Sequence, residues 1–277
     1  MIELLIGMFV TVVGGIALYY WQNRIVERIS VKRIKSSTHE YAEGLLDLYR
    51  IIFPDEEGVN NSLEEIIDVL NAKFEATHHV EVENITLAAV LRSEVVGFIF
   101  CHLYPQRRKA IISYFAIKKE IPAARLKAAR QLLARLKDIL VKGRLCDVLF
   151  YDLQGFDATT PRADRSERRA RRVLFKQSAS SFGLKAREFQ FEYQCPKVSM
   201  SESAHEYPFV LFCIGINCQI PDCVPKQLML DYLRFIYLDC YGDIYPVSDP
   251  RFQEHQAHLK TIVDRYEGTL PDIVQAT

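Results

Sequence analysis

The sequence lacks any excess of charge, because 35 Lys and Arg residues balance 35 Asp and Glu residues over a chain of 277. No overall field therefore draws nucleic acid or an acidic partner, and any electrostatic site must be local. Walker, H-E-x-x-H and G-x-S-x-G motifs are also missing, so none of the common nucleotide, zinc-protease or serine-hydrolase sites is indicated.

A regular cysteine framework is missing as well. The seven cysteines are odd in number and irregularly spaced, which favours reduced thiols over disulfides. Cys213, Cys218 and Cys223 lie five residues apart, whereas structural zinc sites use closer C-x-x-C pairs. No metal site is predicted.

Charge is missing altogether from Leu4 to Trp21, a run of 18 residues that would make a helix of about 27 Å. No positive charge precedes the run, and Tyr19, Tyr20 and Trp21 close it like an interfacial aromatic belt. Residues 1–22 are therefore interpreted as an uncleaved transmembrane anchor. The alternative is a buried helix of a soluble fold.

A basic juxtamembrane segment, 23–35, follows the anchor, with five basic residues against one acid. The positive-inside rule then predicts a single-pass protein of the inner or plasma membrane, with its C-terminal bulk in the cytoplasm. Gly7, Thr11 and Gly15 share one helix face, where a second copy could pack to form a homodimer. Glycine is also simply common in membrane helices, and this alternative stays open.

Periodicity predicts alternating helices and strands over 36–216. Helices are expected over Glu40–Phe53, from a Ser62/Glu65 capping box, over Pro122–Val141 and over Arg165–Phe182. Strands are expected in a hairpin over Thr86–Tyr104, over Ala110–Ile117 and Cys146–Leu153, and in FQFEYQCPKV and YPFVLFCIGI.

The remaining residues, 217–277, are predicted to form a C-terminal helical extension. Its first helix, about Lys226–Tyr241, is apolar nearly all round, and a second is expected over Phe252–Tyr266. A helix of the first kind must be buried, either on the preceding domain or against another subunit.

This order of elements resembles the GNAT N-acetyltransferase superfamily over about residues 30–216. LAAVLRSEVVGFIF is similar to the family's second and third strands, with a Val96-Gly97-Phe98 step, and SSFGLKAREFQFEYQCP is similar to the end of its fourth helix at Gly183-Leu184. The resemblance implies an α/β fold, a GNAT-like mixed central sheet flanked by helices. Residues 36–216 would form the acyltransferase domain.

The resemblance also implies acetyl-CoA as co-substrate. Its pantetheine arm would pair with the fourth strand at Phe115, Ala116 and Ile117, and its pyrophosphate would bind the next helix N-terminus, where the family carries R/Q-x-x-G-x-G/A. The matching segment here, IPAARLKAARQLL, has no glycine. One register of the motif uses Arg125, Ala128 and Arg130, and the other uses Ala124, Lys127 and Ala129; both remain open.

The family's catalytic residues are matched only in part. Many members use a tyrosine of the fourth helix as general acid, but the corresponding positions hold Phe175 or Ala179. Asp152, at the end of the fifth strand, is the predicted general base, with Tyr151 or Tyr114 orienting a water or the amine. Asp152 could equally be a solvated residue at a strand end.

Two functions follow from this resemblance. The first is a membrane-anchored cytoplasmic acyltransferase that moves an acetyl group from acetyl-CoA to an amine of unspecified identity. The second is a catalytically degenerate GNAT-fold protein that senses a ligand or holds a partner at the membrane. Nucleic acid is not an expected partner, because an arginine-rich run such as Arg162–Lys176 is usually a solvated helix face.

Overall fold

A computed structural model describes residues 29–53, 62–71, 81–155, 160–195, 208–242 and 248–277. The predicted anchor over 1–22 and the Gly7, Thr11 and Gly15 face lie outside the described residues. Within the described ranges, no helix is long and apolar enough to cross a membrane.

An eight-stranded mixed sheet forms the centre of the molecule. Its strands are β1 (Ser30–Ile34), β2 (Glu83–Leu91), β3 (Glu94–Tyr104), β4 (Lys109–Ile117), β5 (Val148–Gln154), β6 (Ala186–Glu188), β7 (Tyr193–Gln194) and β8 (Pro208–Gly215). The order is β1-β2-β3-β4-β5-β8-β6, and β7 also pairs with β8. The pair β4–β5 is parallel, and the other described pairs of this sheet are antiparallel.

The β2–β3 hairpin shows how local sequence makes the sheet. Arg92 and Ser93 form its turn with φ angles of 52° and 68°, which match the right-handed twist of the strands. Gly97 then lies opposite Ile117 of β4, where a Cβ atom would come within 2.8 Å of the Ala116 carbonyl oxygen. The Val-Gly-Phe step therefore allows a close approach of two backbones.

Six helices of the described residues flank the sheet. They are α1 (Ala42–Ile52), α2 (Leu63–Leu70), α3 (Pro122–Lys142), α4 (Arg162–Ser180), α5 (Lys226–Arg234) and α6 (Phe252–Thr269). A 3-10 turn covers Pro105–Arg107, and α5 continues as a π-helix over Phe235–Cys240. The predicted capping box of α2 is present, since the Glu65 N–H donates to the Ser62 hydroxyl and the Ser62 N–H to the Glu65 carboxylate.

The helices divide between the two faces of the sheet. Leu132 and Leu136 of α3 and Phe175 of α4 share a core with inward residues of β2–β5 and β8. On the opposite face, α1 and α2 pack over β2–β4, and α5 and α6 pack over β5 and β8. This second face therefore carries two separate groups of helices over one sheet.

Three segments differ from the sequence prediction. Residues 30–34, expected in the basic juxtamembrane segment, form the edge strand β1, where charged side chains are tolerated because one edge faces solvent. The described part of FQFEYQCPKV, residues 189–195, forms the short strand β7 and an isolated bridge at Phe189 rather than a full strand. The extension also contains two short strands, β9 (Cys223–Pro225) and β10 (Ile273–Gln275).

The C-terminal extension packs on its own domain. The Tyr232 ring lies 5.1 Å from that of Phe150, and the Phe235 ring lies 5.2 Å from that of Tyr104. The chain end is tied to β6, because Glu188 and Thr277 exchange two backbone hydrogen bonds. Of the two expected ways to bury the apolar helix, the fold uses packing on the central sheet.

Candidate active site

The strands β4 and β5 separate halfway along their length. Their parallel pairing covers Lys109–Ile112 against Val148–Tyr151 and then stops. Beyond that point β4 continues to Ile117 beside β3, whereas Asp152–Gln154 pair with β8. In the described part of the chain, the β4 edge over 113–117 therefore has no strand beside it, and its backbone groups can pair with an extended ligand.

A cavity of about 910 Å³ opens at this separation. Its walls include seven of the residues that the sequence predicts for the site: Tyr114, Phe115, Ala116, Ile117, Arg125, Tyr151 and Asp152. A volume of this size is at the upper end of the range for small-molecule and cofactor pockets. The fold thus brings the predicted strand residues and the beginning of α3 to one place.

The beginning of α3 offers few free amides. Pro122 has no N–H, and the N–H groups of Ala124 and Arg125 both donate to the Ile121 carbonyl oxygen at 2.9 Å. These two amides are therefore already engaged within the helix. A helix N-terminus attracts anions through free N–H donors, so an anion bound here would depend more on side chains than on backbone.

Four further predicted cofactor residues lie farther along α3, and none of them is among the described residues that line the cavity. Ala128 and Ala129 are fully buried in the core between α3 and the sheet. Lys127 and Arg130 are half-buried. The structure therefore gathers Arg125 with the strand residues but does not bring these four to the cavity.

Arg125 differs from the other cations of the cavity wall. Lys118 bonds to Glu94, and both Lys119 and Arg171 bond to Glu167, at 2.8 and 2.5 Å. The hydrogen bond from Lys119, followed by that from Arg171, lowers the pKa of Glu167 to about 2. Within the described ranges Arg125 has no ion-pair partner, and its buried Nε has no hydrogen-bond acceptor. An anionic oxygen in the cavity would supply that acceptor, so the site fits a phosphate group.

At the other end of the cavity, Asp152 is held by three donors. Its Oδ2 accepts hydrogen bonds from the Tyr241 hydroxyl at 2.8 Å and the Tyr193 hydroxyl at 3.1 Å, and a weaker one from the Cys195 thiol at 3.9 Å. The Cys195 sulfur also lies 3.3 Å from the Tyr241 oxygen. The carboxylate is therefore a fixed group in a polar cluster, not a solvated residue at a strand end.

Burial raises the pKa of Asp152, and the hydrogen bonds from Tyr241 and Tyr193 partly offset this rise. Burial also raises the pKa values of Tyr193, Cys195 and Tyr241, so these groups stay protonated and remain donors. A carboxylate with a raised pKa is a stronger base than an exposed one. Such a shift is what general-base catalysis near neutral pH requires.

The two predicted orienting tyrosines lie on opposite faces of the sheet. Tyr151 packs against Phe175, with ring centres 4.8 Å apart, on the α3/α4 face, and burial raises its pKa. Tyr114 lies on the α1/α2 face, 5.1 Å from the Tyr49 ring. Phe175 and Ala179, the positions where the family's acid tyrosine was expected, are both buried and apolar. Neither can donate a proton.

Sequence reasoning missed Tyr193, Cys195 and Tyr241. The first two lie within the predicted strand FQFEYQCPKV, and the third lies in the extension, 89 residues beyond Asp152. The one local signal is the π-helix that ends just before Tyr241, because π-turns are frequent at functional sites. That turn cannot be recognised in the amino-acid pattern alone.

The arginines of α4 are mostly used within the fold. Arg168 donates to the Gly155 carbonyl oxygen and Arg165 to that of Thr160. Arg172 and Lys176 both contact Glu188 of β6. This face of α4 therefore helps to join the helix to the sheet.

The sequence matches no protein-family model and no curated protein. Solved structures do share the fold. A Bacteroides thetaiotaomicron protein assigned to the GNAT acetyltransferases aligns with a TM-score of 0.50 and 14% identity, over 77% of this chain and 98% of that one. Aminoglycoside 6′-N-acetyltransferase from Enterococcus faecium aligns with a TM-score of 0.44 and 17% identity, over 69% of this chain and 99% of that one. A structure of aminoglycoside 6′-N-acetyltransferase complexed with coenzyme A aligns with a TM-score of 0.44 and 18% identity, over 69% of this chain and 99% of that one.

The first of these likenesses confirms the predicted fold: a GNAT-like mixed sheet flanked by helices. At such low identity it concerns the fold alone, and function has to be argued from the site.

Proposed function

We propose that this protein is a CoA-dependent acyltransferase that moves an acetyl group from acetyl-CoA to an amine. One observation carries the proposal: among the described residues, a β4 edge with no strand beside it lies in the same cavity as Arg125, whose Nε has no acceptor, and the hydrogen-bonded carboxylate of Asp152. Together they would bind a pantetheine arm, a phosphate and the proton of an amine.

The residues have separate tasks in this reaction. Acetyl-CoA supplies the thioester, and the β4 edge near Phe115, Ala116 and Ile117 holds its arm. Asp152 accepts the proton from the amine nitrogen as that nitrogen attacks the thioester carbon. Tyr193 and Tyr241 hold the carboxylate in place. The departing thiolate takes its proton from water, because Phe175 and Ala179 have none to give.

Binding and turnover of the full-length chain test this proposal separately. Acetyl-CoA should raise the melting temperature in proportion to the logarithm of its concentration above Kd, and dephospho-CoA, acetate and pantetheine should raise it less. Release of free CoA thiol should then require an added amine. No thermal shift with millimolar acetyl-CoA would refute the proposal.

A second candidate, ligand sensing without transfer, is favoured by the beginning of α3. Its first turn has few free amides, and the described part of α4 offers no tyrosine as acid. A sensor of this kind would bind CoA without releasing thiol in the presence of any amine. The thiol assay therefore separates the two candidates.

The location of the protein is part of the same proposal. Residues 1–22 would anchor the domain in the membrane, with the basic segment 23–35 on the cytoplasmic side. The chain should then appear in the membrane fraction and resist extraction by carbonate. A protein that stays in that fraction after removal of residues 1–22 would contradict the anchor.

A further inference from the structure

The cavity has a second part on the α1/α2 face of the sheet, between those helices and the C-terminal extension. We call it the acceptor chamber. Most of its described walls are apolar, and they include Leu48 and Ile52 of α1, Ile66 and Val69 of α2, and Phe209 of β8. Asp152 lies at its base, held by Tyr241 of the extension.

The cationic side chains lie unevenly between the two parts of the cavity. Lys119 lies in the turn before α3, Arg125 in α3 and Arg171 in α4. All three are on the side expected to hold phosphate. The acceptor chamber has the carboxylate of Asp152 and the ring of His102, whose pKa burial lowers to about 4, so that ring is neutral. The Glu65 carboxylate at its rim caps α2 by accepting the Ser62 N–H.

We infer that the acceptor is a primary amine carried on an apolar body, such as an alkylamine or arylalkylamine, and not a polyhydroxylated or polycationic amine. This inference rests on the proposed function. The apolar walls stabilise the body by excluding it from water, while the Asp152 carboxylate attracts the amine and takes its proton. A sugar or polyamine would lose its hydration there and find few polar partners among the described walls.

The chemical step balances without any further reagent. The amine nitrogen forms a bond to the acetyl carbonyl carbon as the carbon–sulfur bond breaks. The proton leaving nitrogen goes to Asp152, and CoA leaves as a thiolate that takes a proton from solvent. The apolar product amide then leaves the chamber.

The chamber could instead hold a longer acyl chain of the donor. Two observations favour the amine. The Asp152 carboxylate suits a ligand that donates a proton, and the chamber walls lie on the face of the sheet opposite α3, which carries Arg125. An acyl chain would gain nothing from a carboxylate at the base of its pocket.

The test measures thiol release by the full-length chain with acetyl-CoA and a series of amines: ethanolamine, butylamine, hexylamine, octylamine and spermidine. The inference predicts a rise in kcat/KM of about three- to fourfold for each added methylene group. Ethanolamine and spermidine should be the poorest acceptors.

A matched pair of surface variants locates the effect. Ile51 on α1 lines the chamber and is 74% exposed, whereas Val173 on α4 is 51% exposed and does not line the cavity. Because both side chains are largely in solvent, Ile51→Ser and Val173→Ser should both fold. Ile51→Ser should reduce the ratio of kcat/KM for octylamine to kcat/KM for butylamine by about threefold or more. Val173→Ser should leave this ratio unchanged.

The possible failures are distinguishable. If acetyl-CoA binds and a hydrophilic amine is the best acceptor, the apolar acceptor is refuted and the acyltransferase proposal stands. The same holds if octanoyl-CoA with ethanolamine outperforms acetyl-CoA with octylamine, because the chamber then holds the acyl chain. If acetyl-CoA does not bind, both proposals fall.

Discussion

The two ends of the cavity present their charged groups in different ways. At the α3 end, two amides of the first turn are already engaged, and the buried Nε of Arg125 has no acceptor among the described residues. At the β5 end, Asp152 is fixed by hydroxyl groups of two separate elements. In the proposed reaction, the first end would bind an anion through one side-chain charge, whereas the second would accept a proton through a carboxylate whose position and pKa its neighbours set.

The largest effect that separates the two ends should come from Asp152→Asn. We expect kcat to fall by about 10²- to 10⁴-fold with acetyl-CoA binding unchanged, because the amide cannot accept the proton. Since burial raises the pKa of Asp152, the fold binds the proton of this group more tightly than the unfolded chain does. The stabilisation of the fold by the protonated carboxyl group is therefore lost as pH rises through the pKa of Asp152 in the folded protein. The variant, which mimics the protonated form, should therefore be more stable than the wild type at pH 8.

Urea unfolding at pH 8 and thiol release measure these two effects, with Asp138→Asn on the exposed side of α3 as control. Full turnover in Asp152→Asn would remove the proposed base.

The opposite result is expected at the α3 end, where Arg125→Ala should weaken acetyl-CoA binding by about 10- to 100-fold through loss of a charge-assisted hydrogen bond. Turnover at saturating acetyl-CoA should change little. Calorimetric titration measures the Kd, and Arg135→Ala, an exposed residue of the same helix, is the control. Equal affinities of Arg125→Ala and wild type would show that the phosphate binds elsewhere.

His102, in the acceptor chamber, should make the stability of the fold depend on pH. Its pKa in the fold is about 4, below the ordinary 6.5, because burial disfavours the charged ring. The unfolded chain therefore binds the proton more tightly, and stability falls as pH drops from about 6.5 towards 4. This residue should account for about 2 kcal/mol of stability lost between pH 7 and 5. In His102→Gln, that loss should be absent; an identical decline in both proteins would contradict the burial of a neutral ring.

The smallest effect tests whether the extension belongs to the site. Tyr241→Phe removes a hydrogen bond that stabilises the Asp152 carboxylate, so the pKa of Asp152 should rise further. The acid limb of the kcat/KM profile should then shift to higher pH. Tyr232→Phe, in the same extension but packed on Phe150, is the control. If Tyr241→Phe leaves the pH dependence of kcat/KM unchanged, the extension covers the sheet without contributing to the site.

Much of the framework could be predicted from residue patterns because its signals are local. The β2–β3 hairpin, the Ser62/Glu65 capping box and the helix after Pro122 each depend on residues a few positions apart. The edge strand β1 could not be predicted in this way, since five residues with two charges resemble any basic segment. Its strand character comes from pairing with β2.

The candidate site likewise has features that the sequence predicts and features that depend on tertiary contacts. By itself, the sequence determined which charged and polar residues lie near the β4–α3 junction, that glycine is missing there and that no tyrosine occurs between Asp152 and Glu192. Only the tertiary structure decided that β4 and β5 separate, that Arg125 reaches the cavity while Ala128 and Ala129 enter the core, and that Tyr193 and Tyr241 meet Asp152. The physical reason is sequence separation: periodicity reports on neighbours along the chain, whereas the Asp152 carboxylate is positioned by hydroxyl groups 41 and 89 residues away.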